Sequence, residues 1–289
     1  MQALWMLLAA FLFATMAVCV KFASQHFNSA ELVFWRGLIS MLFMLVVARA
    51  ARVPLATPVP KMHLWRNIAG VFALGSWFYA IGQLPLATAM TLNYMSSIWI
   101  AAFLVGGGLL LGRERVPGAL LLTVLAGFVG VVLVLRPTLE QNQLFAGVVG
   151  LLSGIATALA YLQVAALARA GEPEARTVFY FGVGSTAGGA VALLFTGLSP
   201  FTWQGAVWIV PMGVLASLGQ LCMTRAYSRG STLLVANLQY AGIVFASFYS
   251  LVLFGDQIPL AGWCGMALIV ASGMAATVLR SRPSPIKEP

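Results

Sequence analysis

Long apolar stretches alternate with short polar gaps along this chain, at the interval of membrane crossings. Ten stretches are each long enough to span a hydrocarbon core, which takes ~20 helical residues. They lie at about 3–22, 30–49, 65–84, 86–111, 117–135, 144–168, 176–197, 204–227, 231–253 and 259–280. Prolines punctuate the gaps. Pro54, Pro58 and Pro60 separate the second and third stretches, and Pro85, Pro117, Pro137, Pro173, Pro200 and Pro259 fall between spans or in a first turn, where a missing N–H costs little. Pro211 alone lies inside a span, the eighth, and is expected to kink it.

The first five stretches echo in the second five. Ala30, Val33, Phe34 and Gly37 recur as Ala175, Val178, Phe179 and Gly182. Ala80, Leu92 and Tyr94 recur as Ala226, Leu238 and Tyr240, and polar Asn93 matches polar Gln239. Five crossings reverse the chain, so a second copy of the unit enters the membrane from the opposite side. The expected fold is all-α and integral to the membrane: ten transmembrane helices as two inverted five-helix repeats, residues 1–138 and 139–280, with 281–289 a disordered cytoplasmic tail. Paired units of this kind are the usual construction of a secondary transporter.

Composition supports the membrane reading. Hydrophobic residues make up 61% of the 289 and charged residues only 8%, too little polar surface for a soluble domain of this size. A net charge of +9 would suggest nucleic acid in a soluble protein, but the basic residues here sit in the gaps between spans and no basic–aromatic patch is present. With the N-terminus inside, thirteen basic residues face the cytoplasm: Arg49, Arg52, Lys61, Arg66, Arg113, Arg115, Arg169, Arg176, Arg225, Arg229, Arg280, Arg282 and Lys287. Lys21 and Arg136 face the other side. That bias places both termini in the cytoplasm of a bacterial inner membrane. The first stretch has no basic leader region and reads as a retained span, not a signal peptide. Cys19, Cys222 and Cys264 lie within apolar sequence and read as small packing residues.

Polar and aromatic residues deep in a span are expensive in hydrocarbon and mark candidate contacts for a solute. On this ground Ser76, Trp77, Tyr79, Asn93, Tyr94, Ser97, Trp99, Gln220, Gln239 and Tyr240 are the expected substrate-binding residues, with the aromatic rings as flat walls. Asn93, Ser96 and Ser97, three and four residues apart, are expected on one helix face. Arg36 is the one formal charge well inside a span: a possible site for a substrate carboxylate, or a side chain that snorkels or pairs with Glu31. The chain has no phosphate-binding loop, no nucleophile elbow and no intramembrane carboxylate pair, which argues against ATP drive and against an enzyme. His26 and His63 lie in opposite loops, so no metal is expected, nor any cofactor. The expected partners are a small-molecule substrate and the bilayer, with no nucleic acid and no obligate protein partner.

Two turns carry a family resemblance. Leu111-Gly112-Arg113-Glu114-Arg115-Val116-Pro117 after the fourth span and Leu253-Phe254-Gly255-Asp256-Gln257-Ile258-Pro259 after the ninth each resemble the Leu-Gly-Glu turn of ten-span EamA-type members of the drug/metabolite transporter superfamily. Leu84-Pro85-Leu86-Ala87-Thr88-Ala89 resembles that family's lead into its fourth span. Arg36 matches the family's basic residue in the second span, where the second half has Phe181 instead. The resemblance implies alternating-access transport, with export of amino acids or similar metabolites as the leading expectation and efflux of cationic amphiphilic drugs, or a non-transporting receptor or scaffold, as alternatives; the aromatic lining favours aromatic or large apolar amino acids.

Overall fold

The structure, a computed structural model, describes residues 2–100, 102–103, 122–123, 125–127, 129–134, 143–229 and 232–281. Among the described residues the chain is helical, with no strand. In chain order the helices are α1 (Gln2–Ala23), α2 (Ser29–Ala50), α3 (Pro60–Gln83), α4 (Leu86–Tyr94), α5 (Leu144–Arg169), α6 (Glu174–Thr196), α7 (Trp203–Ala206), α8 (Ile209–Arg229), α9 (Thr232–Leu238), α10 (Ala241–Leu253) and α11 (Leu260–Ser281). The Leu111–Pro117 turn expected after the fourth span and the tail from 282 lie outside the described residues.

Six stretches combine spanning length with apolar composition: Leu4–Ala23, Ser29–Ala50, Leu144–Arg169, Glu174–Thr196, Trp203–Ser228 and Val235–Leu253. Leu125–Val134 and Leu260–Ala275 are shorter apolar helices. α3 has the length, 24 residues, but Lys61, His63, Arg66 and Asn67 occupy its first two turns. Large apolar side chains point outward as well as inward. Phe195 is 86% exposed and Phe145 70%, which hydrocarbon tolerates and water does not. The molecule is a multi-pass helical membrane protein.

Local chemistry sets the helix ends. Asn28 caps α2 by accepting from the Glu31 N–H while the Glu31 carboxylate accepts from the Asn28 N–H at 2.9 Å, a reciprocal capping box. Pro60 opens α3 at a position whose N–H would have no partner. Pro211 does the same for α8. The short α7 ends before it, so Pro211 falls in α8's first turn instead of kinking a continuous span.

The helical stretches from Leu86 and from Thr232 are each interrupted. α4 stops at Tyr94, Met95 turns, and residues 96–100 are helical again. α9 stops at Leu238 and α10 begins at Ala241. Tight i to i−3 bonds mark both breaks: Ile98 N–H to the Met95 carbonyl at 2.9 Å and Tyr240 N–H to the Asn237 carbonyl at 3.0 Å.

α2 packs against α6, α1 against α8, α3 against α5, and α4 against both α5 and α10. The α2–α6 crossing is the tightest. A Cβ at Gly37 would lie 2.5 Å from the Thr186 nitrogen, one at Gly182 2.7 Å from the Met41 nitrogen, and one at Gly189 2.6 Å from the Phe34 nitrogen. These contacts advance along α2 while retreating along α6, so the two helices run antiparallel with backbones touching. A Cβ at Gly184 would stand 2.5 Å from Asn67 of α3, and one at Gly188 2.5 Å from Val71.

Candidate substrate site

Seven helices converge on a small internal cavity. Phe13 and Met16 come from α1, Arg36 from α2, Arg66, Gly70 and Trp77 from α3, Asn93 and Tyr94 from α4, Thr157 and Tyr161 from α5, Phe181 from α6 and Gln220 from α8. The space is narrow, about 40 Å³, room for a few water molecules and no more.

Two guanidinium groups dominate its electrostatics. Arg36 is 1% exposed and Arg66 2%. Both lie over the same phenyl ring: the guanidinium carbon of Arg66 is 3.7 Å from the Phe181 centroid and that of Arg36 is 4.6 Å away. Arg36 Nη1 makes one long hydrogen bond to Ser185 Oγ at 3.4 Å. Arg36 Nε and Arg66 Nε and Nη1 are buried without a hydrogen-bond partner among the described residues, as are Trp77 Nε1 and the Tyr94 hydroxyl. None of the described residues lining the cavity is acidic. Gly70 makes room for this arrangement, because a Cβ there would collide with Arg66 Nη1 and stand 2.9 Å from Phe181.

Five of the eleven residues expected from the sequence meet here: Arg36, Trp77, Asn93, Tyr94 and Gln220. The other six lie elsewhere. Ser97 Oγ donates to the Ala236 carbonyl at 2.6 Å, and Gln239 Nε2 donates to Ser96 Oγ at 3.0 Å, both tying the helical segment after Met95 to the α9–α10 break. Asn93 Nδ2 instead donates to Thr157 Oγ1 at 2.9 Å and Ser153 Oγ at 3.1 Å on α5. The turn at Met95 is why Asn93, Ser96 and Ser97 do not share one face. Tyr240 lines a separate apolar groove with Trp263 and Met274. Tyr79 packs edge-on to Phe145, Trp99 stacks with Phe103, and Ser76 is half-buried on α3.

Arg66, Tyr161 and Thr157 were not expected. The sequence places Arg66 at the cytoplasmic edge of the third span; with α3 starting at Pro60 it lies well inside the helix. Glu31 does not pair with Arg36. Its carboxylate accepts from the Ser199 hydroxyl at 2.6 Å and the Ser199 N–H at 3.0 Å, pinning the segment after α6 to the start of α2.

At the other end of the molecule a second polar cluster docks the 51–59 loop. Glu172 accepts from Thr57 Oγ1 at 2.9 Å, contacts His63 Nε2 at 3.1 Å, and pairs with Arg176 at 3.1 Å. Arg176 Nε donates to the Pro54 carbonyl at 2.8 Å, and the Tyr180 hydroxyl to the Leu55 carbonyl at 3.0 Å. Burial alone raises the Glu172 carboxyl, but the bonds from Thr57 and His63 and the Arg176 charge outweigh it and hold the group below the ordinary carboxylate range. No group of three or more potential metal ligands occurs among the described residues.

Apolar helices crossing a bilayer and enclosing a polar chamber define a membrane transporter. The chain belongs to the EamA-like transporter family, of the drug/metabolite transporter superfamily, which matches residues 1–136. It is 34% identical to the pseudopaline exporter CntI of Pseudomonas aeruginosa over 94% of this chain and 91% of that one. An uncharacterized transporter of Helicobacter pylori is 28% identical over 98% and 95%, and a riboflavin transporter of Rhizobium johnstonii 26% identical over 94% and 89%. A solved crystal structure shares the fold, with a TM-score of 0.68 over 96% of both chains at 20% identity.

Proposed function

We propose that this protein is a secondary transporter of the bacterial inner membrane that exports carboxylate-bearing small metabolites, amino acids among them, by alternating access. The observation that carries the reading is the narrow central cavity whose wall holds buried donors with no partner among the described residues. Such donors are costly unless something transient uses them. Trp77, Asn93, Tyr94 and Gln220 would position the solute and Arg36 would receive its carboxylate. A lining without acids disfavours the cationic-drug alternative. That one relative is named an exporter supports the outward direction.

In this reading the ten spans form two inverted repeats, 1–138 and 139–280, with both termini cytoplasmic. Several features support it. The family match ends at residue 136, beside the proposed boundary. The packing of α1 on α8 mirrors that of α5 on α3, as a two-fold exchange of the halves requires. The Gly37–Thr186 and Gly182–Met41 contacts exchange under the same operation, and repeat-related Arg36 and Phe181 touch. Interrupted helices in corresponding places of two halves are the usual neighbours of a transporter's site. The narrow chamber then belongs to a state between two open ones.

The test is counterflow in proteoliposomes. Purified protein preloaded with unlabelled amino acid should accumulate labelled amino acid, and Trp77→Ala should lower the initial rate at equal folded yield. Absence of counterflow for every amino acid and dicarboxylate offered would end the carrier reading.

A further inference from the structure

The pair of arginines carries the reading further. Sharing one ring brackets the separation of the two charges at roughly 8 Å or less, within one Debye length in water and far less screened in a dry interior. Like charges held that close are mutually repulsive. Their aromatic partner offsets part of this, and among the described residues no carboxylate on the wall offsets the rest. A zwitterionic amino acid would not correct the imbalance, because it brings no net charge and its ammonium group would find no acid to face. A solute with two anionic oxygens groups, one for each guanidinium, brings the chamber to neutrality.

Resting on the transporter reading above, we propose that Arg36 and Arg66 form a twin-cation site selecting dianionic solutes, with dicarboxylates as the substrate class. Arg66 sets the preference. Arg36 alone would accept a single carboxylate, whereas Arg66, folded against Gly70 and stacked on Phe181, supplies the second charge with Nε and Nη1 free to donate. A guanidinium suits this role because it stays charged when buried and presents paired donors to a carboxylate. Trp77 Nε1 and the Tyr94 hydroxyl add two neutral donors on the same cavity. The shared chemistry, two negative charges on oxygen, also fits a phosphate, so the experiment separates the two.

Thermal unfolding of the detergent-purified wild type is followed with succinate, L-glutamate, L-leucine, L-lysine or inorganic phosphate at equal concentration and ionic strength, and vesicle flux is measured for the four organic solutes. Succinate is expected to raise the midpoint most and to move across vesicles, binding about tenfold or more tighter than L-leucine, with L-glutamate, which has two carboxylates but also an ammonium group, between the two. Arg66→Gln should abolish that discrimination, Arg66→Lys should retain part of it, and Gly70→Ala, which displaces the guanidinium without removing charge, should weaken it. L-leucine stabilising as well as succinate, or unchanged succinate binding in folded Arg66→Gln, overturns the twin-cation site. Stabilisation by phosphate but not succinate overturns the carboxylate assignment. The wild-type comparison decides the question even if a variant does not fold. Leucine flux that is insensitive to Arg66→Gln would sink this inference and leave the carrier standing; succinate stabilisation without flux of any solute would sink the carrier and leave the anion site.

Discussion

A buried guanidinium is tolerable when its surroundings substitute for water, and the cavity wall does this in an unusual way. The Phe181 ring faces two cations, Ser185 supplies one long acceptor, and Gly70 supplies space in place of a contact. Donors therefore remain. At this scale the clearest expectation concerns Tyr94, whose hydroxyl is buried without a partner among the described residues while its ring fills the space that Gly242 leaves. Tyr94→Phe keeps the ring and removes only the hydroxyl. It should leave folded yield and melting temperature near those of the parent and reduce solute flux about tenfold, the value of one hydrogen bond made only to substrate. Equal loss of fold and flux would assign the hydroxyl to packing.

Helix against helix, the decisive contacts are between backbones. Gly182→Leu would drive its side chain into Met41 of α2, and overpacking of that kind costs about 1–3 kcal/mol or more. Monodisperse yield should fall sharply. Gly75→Ala is the control: a Cβ there meets nothing within 4 Å, and it gains helix propensity of up to ~1 kcal/mol, so its melting temperature should hold or rise. The loop latch at Glu172 makes a pH prediction. Its carboxyl is held below the ordinary range, so the latch is at full strength above the unfolded value, about 4.3, and is lost as pH falls through the lower folded value. A nitroxide at position 58 should become mobile only in that acid window in the parent, and Glu172→Gln should remove the pH dependence. A parent label equally mobile at neutral pH would mean that the loop is not latched there.

Taken whole, the molecule needs a direction and a driving force. With the proposed orientation, Pro58→Cys should react with an impermeant thiol reagent only from the cytoplasmic side and Pro200→Cys only from outside; both positions are exposed. Reversed access would invert the assignment. None of the described residues on the cavity wall is an acid, so a carboxylate proton relay has no carrier among them. An anionic cargo moving outward needs none, since an inside-negative potential drives it with ~2.3 kcal/mol per charge per 100 mV. Succinate efflux from vesicles should accelerate when a potassium gradient with valinomycin makes the lumen negative. Indifference to the potential would mean that the cargo moves without net charge.

Hydropathy and charge along the chain were enough to establish a multi-pass helical membrane protein, because burial in lipid writes itself into composition and every backbone group must be bonded within a helix. The turns at 84–89 and 253–259 were enough for the family. Trp77, Asn93, Tyr94, Gln220 and Arg36 could be picked out as well, since polarity deep in a span is visible at one position. Convergence was not visible. Arg66 reads in the sequence as a cytoplasmic-edge charge because nothing there shows that α3 begins at Pro60, and Gln239 and Ser97 read as pocket residues, whereas beside the breaks at 95 and 239–240 Gln239 donates to Ser96 and Ser97 to the Ala236 carbonyl. Which polar groups meet a solute and which bond across helices depends on rotation about each helix axis, and that rotation is set by contacts such as Gly37 on Thr186, between residues far apart in the chain.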